Sequence, residues 1–195
     1  MNNLDLIRCD NDDLWNEFVK KSPQCNIFCE TTFLNSLDIS YDLLWVIEKK
    51  VPCLGAILIK GDDKQPILAP FPFSMYQGVL FNRKYHQMQV HQRVNESLRL
   101  VDYLLMELKQ RYSRISFCLH TLIEDIRAFL WFNYHEPEQG KFGIRINYTG
   151  IIDLSDENDF DCYLKKIRKS RRYEYRRAKK ADKKYYRSST CQSLW

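Results

Sequence analysis

Hydrophobic residues recur along the chain with two different periods, one helical and one typical of strands. Spacings of three and four residues predict helices over 10–21, 30–40, 89–111 and 124–132. Asp12 or Asp13 is expected to cap the first helix, and Ser22-Pro23 ends it. The longest helix, 89–111, carries an apolar face made of Val94, Leu98, Val101, Leu104, Leu105 and Leu108. The other three helices are expected to turn their own apolar residues inward: Leu14, Trp15, Phe18 and Val19; Phe33, Leu34 and Leu37; Ile126, Phe129 and Leu130.

Short apolar runs bounded by turn residues predict the strands. Two of them, 43–49 and 53–60, are expected to form a hairpin around Lys50-Val51-Pro52. The run 67–73 contains Pro70 and Pro72, which cannot donate ladder hydrogen bonds, so it is expected at an edge or a bulge. The remaining strand predictions are a short strand at the end of 74–81, one over 114–119, and one long bent strand or two strands over 142–154. Mixed helices and strands in this order predict an α/β (α+β) fold with a mostly antiparallel sheet.

The positive charge of the chain is concentrated in one block, residues 165–187. This block holds 13 Lys and Arg against two acidic residues, whereas the whole chain carries a net charge of +5. Acidic residues at 155–160 precede the block and suit the N-terminal end of a helix dipole, so a helix is predicted from there through the block. Tyrosines interleave the cations, a composition that suits single-stranded nucleic acid through phosphate contacts and stacking. No helix-turn-helix, zinc-finger or RNA-recognition pattern accompanies it.

The composition narrows the class of protein further. With 45% hydrophobic residues the chain can bury a core, so a wholly disordered chain is excluded. No segment resembles a signal peptide and no apolar run is long enough to cross a membrane, so a cytoplasmic location is expected. The seven cysteines and four histidines lack metal-ligand spacing, so reduced thiols and no metal site are expected. The pattern identifies no catalytic residue.

The segment 70–78 (PFPFSMYQG) combines stiffening prolines, aromatic rings, a hydroxyl, an amide and a glycine. Binding pockets are lined in this way, which makes Tyr76 and Gln77 candidate substrate-binding residues. An aromatic-rich edge strand packed in the core explains the same residues equally well. Both interpretations stay open at this point.

The basic run IRKSRRYEYRRAKK at 167–180, with the strand, acidic linker and helical lead-in before it, resembles the basic helix of the FemAB-like acyltransferases. These form a branch of the GNAT N-acyltransferase superfamily. Upstream, PFSMYQGVLF at 72–81 and the order of elements look like the first of the two GNAT-like halves in that family. The resemblance covers residues 1–187.

The resemblance implies transfer of an acyl or aminoacyl group from acyl-CoA or aminoacyl-tRNA to an amine. The acceptor would be an amine-bearing small molecule, glycan or peptide. Residues 1–154 would form a three-layer GNAT-like half, 155–187 a basic helix leading to a second half, and 188–195 an irregular tail. Tyr76 and Gln77 would line the acceptor cleft, and the basic helix would contact phosphates or a sugar through Arg168, Arg171, Arg172 and Tyr175.

Two departures from the family lead to further expectations. Family members continue beyond the basic helix, and no segment matches the GNAT pyrophosphate-loop pattern. A truncated chain is therefore expected, with an exposed apolar face and a tendency to self-associate. The alternative function is a non-enzymatic protein that binds nucleic acid or an acidic surface through the basic helix.

Overall fold

A computed structural model describes residues 4–67, 69, 71, 72, 74–150 and 160–180. It divides into unit 1, residues 1–144, and unit 2, residues 145–195. Unit 1 contains an antiparallel sheet with the strand order β1-β2-β3-β4. These strands are β1 (Leu4–Arg8), β2 (Ser40–Glu48), β3 (Val51–Lys60) and β4 (Val79–Phe81). The predicted mixed fold with an antiparallel sheet is confirmed.

The hairpin of β2 and β3 is confirmed, but its turn lies at Lys49 and Lys50. Both have positive φ, 49° and 68°, as expected for the two central residues of a tight hairpin turn. The turn predicted at Lys50-Val51-Pro52 is wrong because β3 already begins at Val51. Pro52 is tolerated there, since it lies beside a register shift at Val46/Ile47 and close to the start of the strand.

Helices cover both faces of the sheet and produce three layers. On one face lie α1 (Asp12–Lys21) and α2 (Thr31–Ser36), and on the other α3 (Lys84–Gln87), α4 (Val90–Arg111) and α5 (Arg127–Trp131). Strand β3 buries residues toward both layers: Ile57 packs with the α1 side, and Leu54 and Leu58 pack with the α4 side. Burial on both faces explains why β3 is a continuous apolar run in the sequence.

Gly55 allows the α1 layer to approach β3. A Cβ at this position would lie 2.9 Å from Phe18 Cε1 and 3.0 Å from Trp15. The Trp15 ring stacks on that of Trp45, with centroids 6.2 Å apart, and its Nε1 donates to the Cys29 carbonyl at 2.8 Å. The rings of Phe18 and Trp15 therefore fill the space that a side chain at position 55 would occupy.

A buried carboxylate joins three elements of unit 1. The side chain of Asp42, on β2, is 8% exposed. Its Oδ1 accepts from Lys60 Nζ at 2.9 Å and lies 3.3 Å from an Arg8 guanidinium nitrogen, and its Oδ2 accepts from Tyr112 Oη at 2.6 Å. Burial alone would raise the pKa of Asp42, but the hydrogen bonds from Tyr112 and Lys60 and the charges of Lys60 and Arg8 together hold it below its usual value. Burial and the Asp42 charge raise the pKa of Tyr112.

The predicted helices are present, with corrections at their ends. Asn11 caps α1 by accepting from the Leu14 N–H at 2.9 Å, in place of Asp12 or Asp13. Helix α2 ends at Ser36 instead of reaching 40, because β2 begins at Ser40. Helix α5 occupies Arg127–Trp131 within the predicted 124–132. Leu14 and Leu130, both predicted inward, are 52% exposed because each lies at the margin of its helix's buried face.

Two strand predictions are wrong, one falls partly outside the described residues, and one strand was missed. Around 67–73, where 68, 70 and 73 lie outside the described residues, the contacts with β3 are the bridge Lys60–Pro66 and the bond from Ile67 N–H to the Ile59 carbonyl. Neither 114–119 nor 142–150 is a strand, because neither has a ladder partner among the described residues, and 151–154 lies outside them. Strand β1 alternates buried Leu4 and Leu6 with exposed residues, a pattern that was already readable in the sequence.

The described part of unit 2 contains two helices where one continuous helix was predicted. Helix α6 (Phe160–Lys166) and helix α7 (Lys169–Lys180) are separated at 167–168. The Phe160 and Tyr175 rings meet edge to face, with centroids 5.2 Å apart. The acidic residues 155–159 and the chain beyond 180 lie outside the described residues. Within the described helices, none is long and apolar enough to cross a membrane.

Candidate binding site at the outer edge of strand β4

Strand β4 has one edge paired with β3 and one edge facing away from it. The bonds from Ile57 N–H to the Gly78 carbonyl and from Asn82 N–H to the Cys53 carbonyl fix this register. By the alternation of an antiparallel ladder, the backbone groups of 77, 79 and 81 then point away from β3. Residue 77 is engaged by Cys118, and residue 81 by Gln24. Val79 hydrogen bonds to no described residue on this edge, so its N–H and C=O are a donor and an acceptor without a described partner, although the residue is only 2% exposed.

Gln24 closes one end of this edge. It is fully buried in the turn after α1, where the Ser22 hydroxyl accepts from its backbone N–H at 3.2 Å. Its Oε1 accepts from the Phe81 N–H at 2.8 Å, so the side chain replaces a neighbouring strand. Its Nε2 is buried without a hydrogen-bond partner among the described residues. This donor, left unpaired beside a strand edge, suits a ligand carbonyl or an ordered water.

Gln77 and Ser74 lie at the other end of the edge. Gln77 is 3% exposed, and its Oε1 accepts from the Phe71 N–H at 3.0 Å, which holds the preceding loop. Its Nε2 and the hydroxyl of fully buried Ser74 have no hydrogen-bond partner among the described residues. An unpaired buried polar group costs about 1–3 kcal/mol. Unpaired groups at both ends of one strand edge therefore make it a candidate polar binding site, since a ligand or an ordered water there would satisfy them.

Tyr76 and His120 form a half-buried wall beside Gln77. The Tyr76 ring lies 4.7 Å from the His120 ring and 6.4 Å from that of Phe28, centroid to centroid. Tyr76 has a φ of 61°, a conformation that is uncommon for a residue with a side chain and that recurs at functional sites. Because Gly78, the next residue but one after Tyr76, has no side chain, the backbone at Cys118 can approach it closely. A Cβ at Gly78 would lie 3.4 Å from the Cys118 carbonyl oxygen.

The hydrogen bonding of His120 defines its tautomer. Its Nδ1 accepts from the Leu122 N–H at 3.1 Å, which places the ring proton on Nε2 in the neutral form. Burial lowers the pKa of His120 and so favours that neutral form. The imidazole is therefore a hydrogen-bond donor at Nε2 and not a base.

The predicted site residues fall into two groups, in different units. Tyr76 and Gln77 are neighbours at the β4 edge, although Gln77 is buried and its Oε1 already accepts from the Phe71 N–H of the preceding loop. In unit 2, Arg168 and Arg171 are exposed and Arg172 is half-buried, while Tyr175 contacts Phe160. Arg171 pairs with Glu174 at 2.9 Å. Two site residues were missed, Gln24 and His120: their sequence positions are remote from the 70–78 motif, and nothing in their local pattern indicates a site.

Other reactive groups are not assembled into a centre. Cys9, Cys25, Cys29, Cys53 and Cys118 are free thiols, and burial raises the pKa of Cys29 to about 12, which makes it inert at neutral pH. The same part of the chain contains no group of His, Cys, Asp and Glu side chains that could hold a metal ion. No family model, curated protein or solved structure matches the chain.

Proposed function

We propose that this chain forms the acceptor-binding part of an N-acyltransferase of the FemAB-like type, with the β4 edge as the site of an amine-bearing peptide. The observation that carries the proposal is the unpaired backbone of Val79 between two buried amides, Gln24 and Gln77; because Val79 is 2% exposed, a peptide reaches it only when the chain that covers this edge moves aside. An extended peptide pairs with a strand edge through its own N–H and C=O groups. The unpaired Nε2 donors at both ends suit its further carbonyls.

The wall of the site suits the chemistry of acyl transfer. When an amine attacks an acyl carbonyl, negative charge develops on the carbonyl oxygen, and donors aimed at that oxygen stabilise the transition state. The carbonyl then re-forms as the bond to the CoA sulfur or the tRNA ribose oxygen breaks, and the amine proton passes to the leaving group or to solvent. His120 Nε2 and the Tyr76 hydroxyl are donors of this kind at the half-buried end of the edge. Acyl-CoA and aminoacyl-tRNA are both polyanionic donors, and either would be attracted by the exposed cations of α7.

The order of elements in unit 1 also supports the proposal. A strand, two helices, an antiparallel hairpin, the short β4 and the long α4 follow one another, with helices on both faces of the sheet. This is the arrangement that the resemblance implies for the first half of the family.

The test combines binding with transfer. The probe is the tripeptide Ala-Lys-Ala, titrated into ¹⁵N-labelled protein, and the expected amide shifts centre on Val79 and Gln77. Transfer to the lysine amine is then followed by mass spectrometry with acetyl-CoA and with alanyl-tRNA as donors, after addition of a separately expressed second half of a FemAB-like enzyme, because this chain is proposed to supply only the acceptor side. His120→Gln is expected to reduce transfer at least tenfold with little change in peptide affinity. The matched control is His91→Gln, because His91 is exposed at the start of α4.

Two results would contradict the proposal. One is an absence of shifts around Val79 at saturating peptide, together with no transfer from either donor. The other is transfer that His120→Gln and His91→Gln leave equally unchanged, which would remove His120 from the site.

A second candidate function is favoured by the surface of α7. Lys169, Tyr173 and Arg177 form one row at i, i+4 spacing, and Arg172 and Arg176 form the neighbouring row. Tyr173 is 66% exposed between these cations, and none of the four pairs with an acidic described residue. Unpaired cations around an exposed ring suit single-stranded nucleic acid.

This candidate makes a quantitative prediction about salt. Binding of a fluorescent 12-nucleotide uridine oligomer is measured by anisotropy between 50 and 200 mM salt. Arg176→Gln/Arg177→Gln is expected to reduce the slope of log affinity against log salt by about 1.4, since each single-strand phosphate contact contributes about 0.7. The control, Lys20→Gln/Lys84→Gln, removes the same charge from unit 1 and should leave the slope unchanged. Equal slopes for the two variants would refute a role for α7.

A further inference from the structure

Residues 142–148 have the side-chain pattern of a strand. Phe142, Ile144, Ile146 and Tyr148 alternate with small or polar residues. A hydrogen bond of 3.2 Å from Arg145 Nε to Asn147 Oδ1 places these two polar side chains on the same side of the chain. The apolar residues therefore occupy the opposite side, as in a half-buried strand.

This segment has no strand partner in the described chain, and its apolar side is exposed. Phe142 is anchored in unit 1 between Phe129 and Phe132, with ring centroids 5.4 and 5.3 Å away. Beyond it, Ile144, Ile146 and Tyr148 are 46%, 75% and 94% exposed. No backbone group of 141–150 hydrogen bonds to another described backbone group. A row of free amides beside exposed apolar side chains is a template for pairing with another chain.

The sheet of unit 1 is poorly suited to accept this strand. At its β4 edge, Gln24 and Cys118 engage the backbone at positions 81 and 77, so Val79 alone is left to pair, which is too short an edge for a strand of seven residues. At its β1 edge, the Arg111 guanidinium donates to the Leu6 carbonyl at 3.2 Å. A second molecule is therefore the better source of a partner strand.

The segment is complementary to a copy of itself in the antiparallel register centred on Ile146, whereas the register centred on Ile144 would need Phe142, which packs on Phe129 and Phe132. With Ile146 opposite Ile146, Ile144 faces Tyr148 on both sides of the twofold axis and Arg145 faces Asn147. Aromatic and β-branched cross-strand pairs of this kind are stabilising. The register centred on Arg145 instead opposes two like charges, which is destabilising.

We propose that residues 142–148 pair with the same residues of a second copy to form an antiparallel ribbon centred on Ile146. Two short strands alone are marginally stable, and an interface of this length falls at the low end of the size range, below roughly 1,200 Å². The dimer is accordingly weak, and it forms at high protein concentration. The proposal does not depend on acyl transfer or on nucleic-acid binding.

The first experiment measures association by sedimentation velocity over a concentration series of the full chain. The wild-type chain is expected to shift from monomer to dimer, and Ile146→Lys, which opposes two ammonium groups, to remain monomeric. Because Ile146 is 75% exposed, this variant should keep the wild-type circular dichroism spectrum and urea midpoint. Thr149→Lys adds the same charge on the polar side and should weaken the dimer less.

The second experiment reads the register by disulfide formation. Facing residues of an antiparallel pair lie about 4.5–5.5 Å apart at Cβ, close to disulfide geometry. Ile146→Cys should therefore link position 146 of one copy to position 146 of the other under mild oxidation, as seen by peptide mapping. Ile144→Cys faces Tyr148 and should link to itself several-fold less, and the wild-type chain gives the background from its native thiols.

Several outcomes would overturn the proposal. A chain that stays monomeric throughout the series has no such ribbon. Association that survives Ile146→Lys belongs to another surface, and equal cross-linking at positions 144 and 146 excludes the stated register.

Discussion

Asp42 offers the strongest test of how unit 1 is held together. The substitution Asp42→Ala removes a carboxylate whose side chain is 8% exposed and which accepts from both Lys60 and Tyr112. The Lys60 side chain is itself only 15% exposed, so its ammonium group would be left largely buried without its counter-ion. The Tyr112 hydroxyl would lose its acceptor at the end of α4.

The expected cost follows from these two losses. Removing one partner of a buried ion pair costs about 3–5 kcal/mol, because the remaining charge stays desolvated. Small domains are stable by about 5–15 kcal/mol, so Asp42→Ala should consume a large share of the free energy of unfolding. Asp10→Ala is the control: Asp10 also pairs with an arginine, Arg8 at 2.9 Å, but it is 78% exposed. An exposed pair contributes about 0–1 kcal/mol.

Urea unfolding followed by tryptophan fluorescence measures both variants at pH 7. A second series varies pH: since the folded-state pKa of Asp42 lies below its usual value, its stabilisation is present above about pH 4 and is lost as the pH falls further. In Asp42→Asn this acid-dependent loss should be smaller than in the wild type. If Asp42→Ala costs no more than Asp10→Ala, the cluster does not stabilise unit 1 in the way described.

Two further predictions concern the packing of β3 and the site wall. Gly55→Ala should destabilise unit 1 by about 1–3 kcal/mol, because its Cβ would lie 2.9 Å from Phe18. The control is Gly150→Ala, whose Cβ meets nothing within 4 Å and which should change the urea midpoint little. Equal urea midpoints for the two variants would contradict this prediction. His120 should titrate by NMR below about pH 6.5, since burial lowers its pKa. The stability that neutral His120 contributes is then present above that pH and declines as the pH falls, and His120→Gln should remove this dependence. A pKa above 6.5 would contradict the geometry at Nδ1.

The parts of the fold that could be predicted from sequence are those determined by local pattern. Helix α4 is amphipathic over its whole length, and its predicted start and end agree closely with Val90 and Arg111. The hairpin was predictable because two apolar runs flank a short polar turn, although the positive φ of Lys49 and Lys50 placed the turn one residue earlier. Asn11 was overlooked as the cap of α1 because two acidic residues follow it and compete for the same role in the sequence.

The candidate site could be predicted only in part. The 70–78 motif identified Tyr76 and Gln77 through their composition. Gln24 and His120 reach the same strand edge through the fold: Gln24 from the turn after α1, and His120 from the chain after α4. A lone buried glutamine has no periodic signature, so its role becomes apparent only when its Oε1 is found on the Phe81 N–H.

The wrong strand predictions share one physical cause. Alternation of apolar and polar residues specifies which side of a strand is buried, but a strand exists only where a neighbouring chain pairs with its backbone. Over 114–119 that neighbour is a loop, and among the described residues only Cys118 donates to a backbone carbonyl, that of Gln77. Over 142–148 the alternation is equally clear and the described chain supplies no neighbour. Because no neighbouring chain among the described residues pairs with 142–148, the strand prediction is wrong for one molecule, and the same lack of a partner leaves Ile146 available to a second molecule. The cross-linking series tests whether 142–148 forms a strand when that second molecule is present.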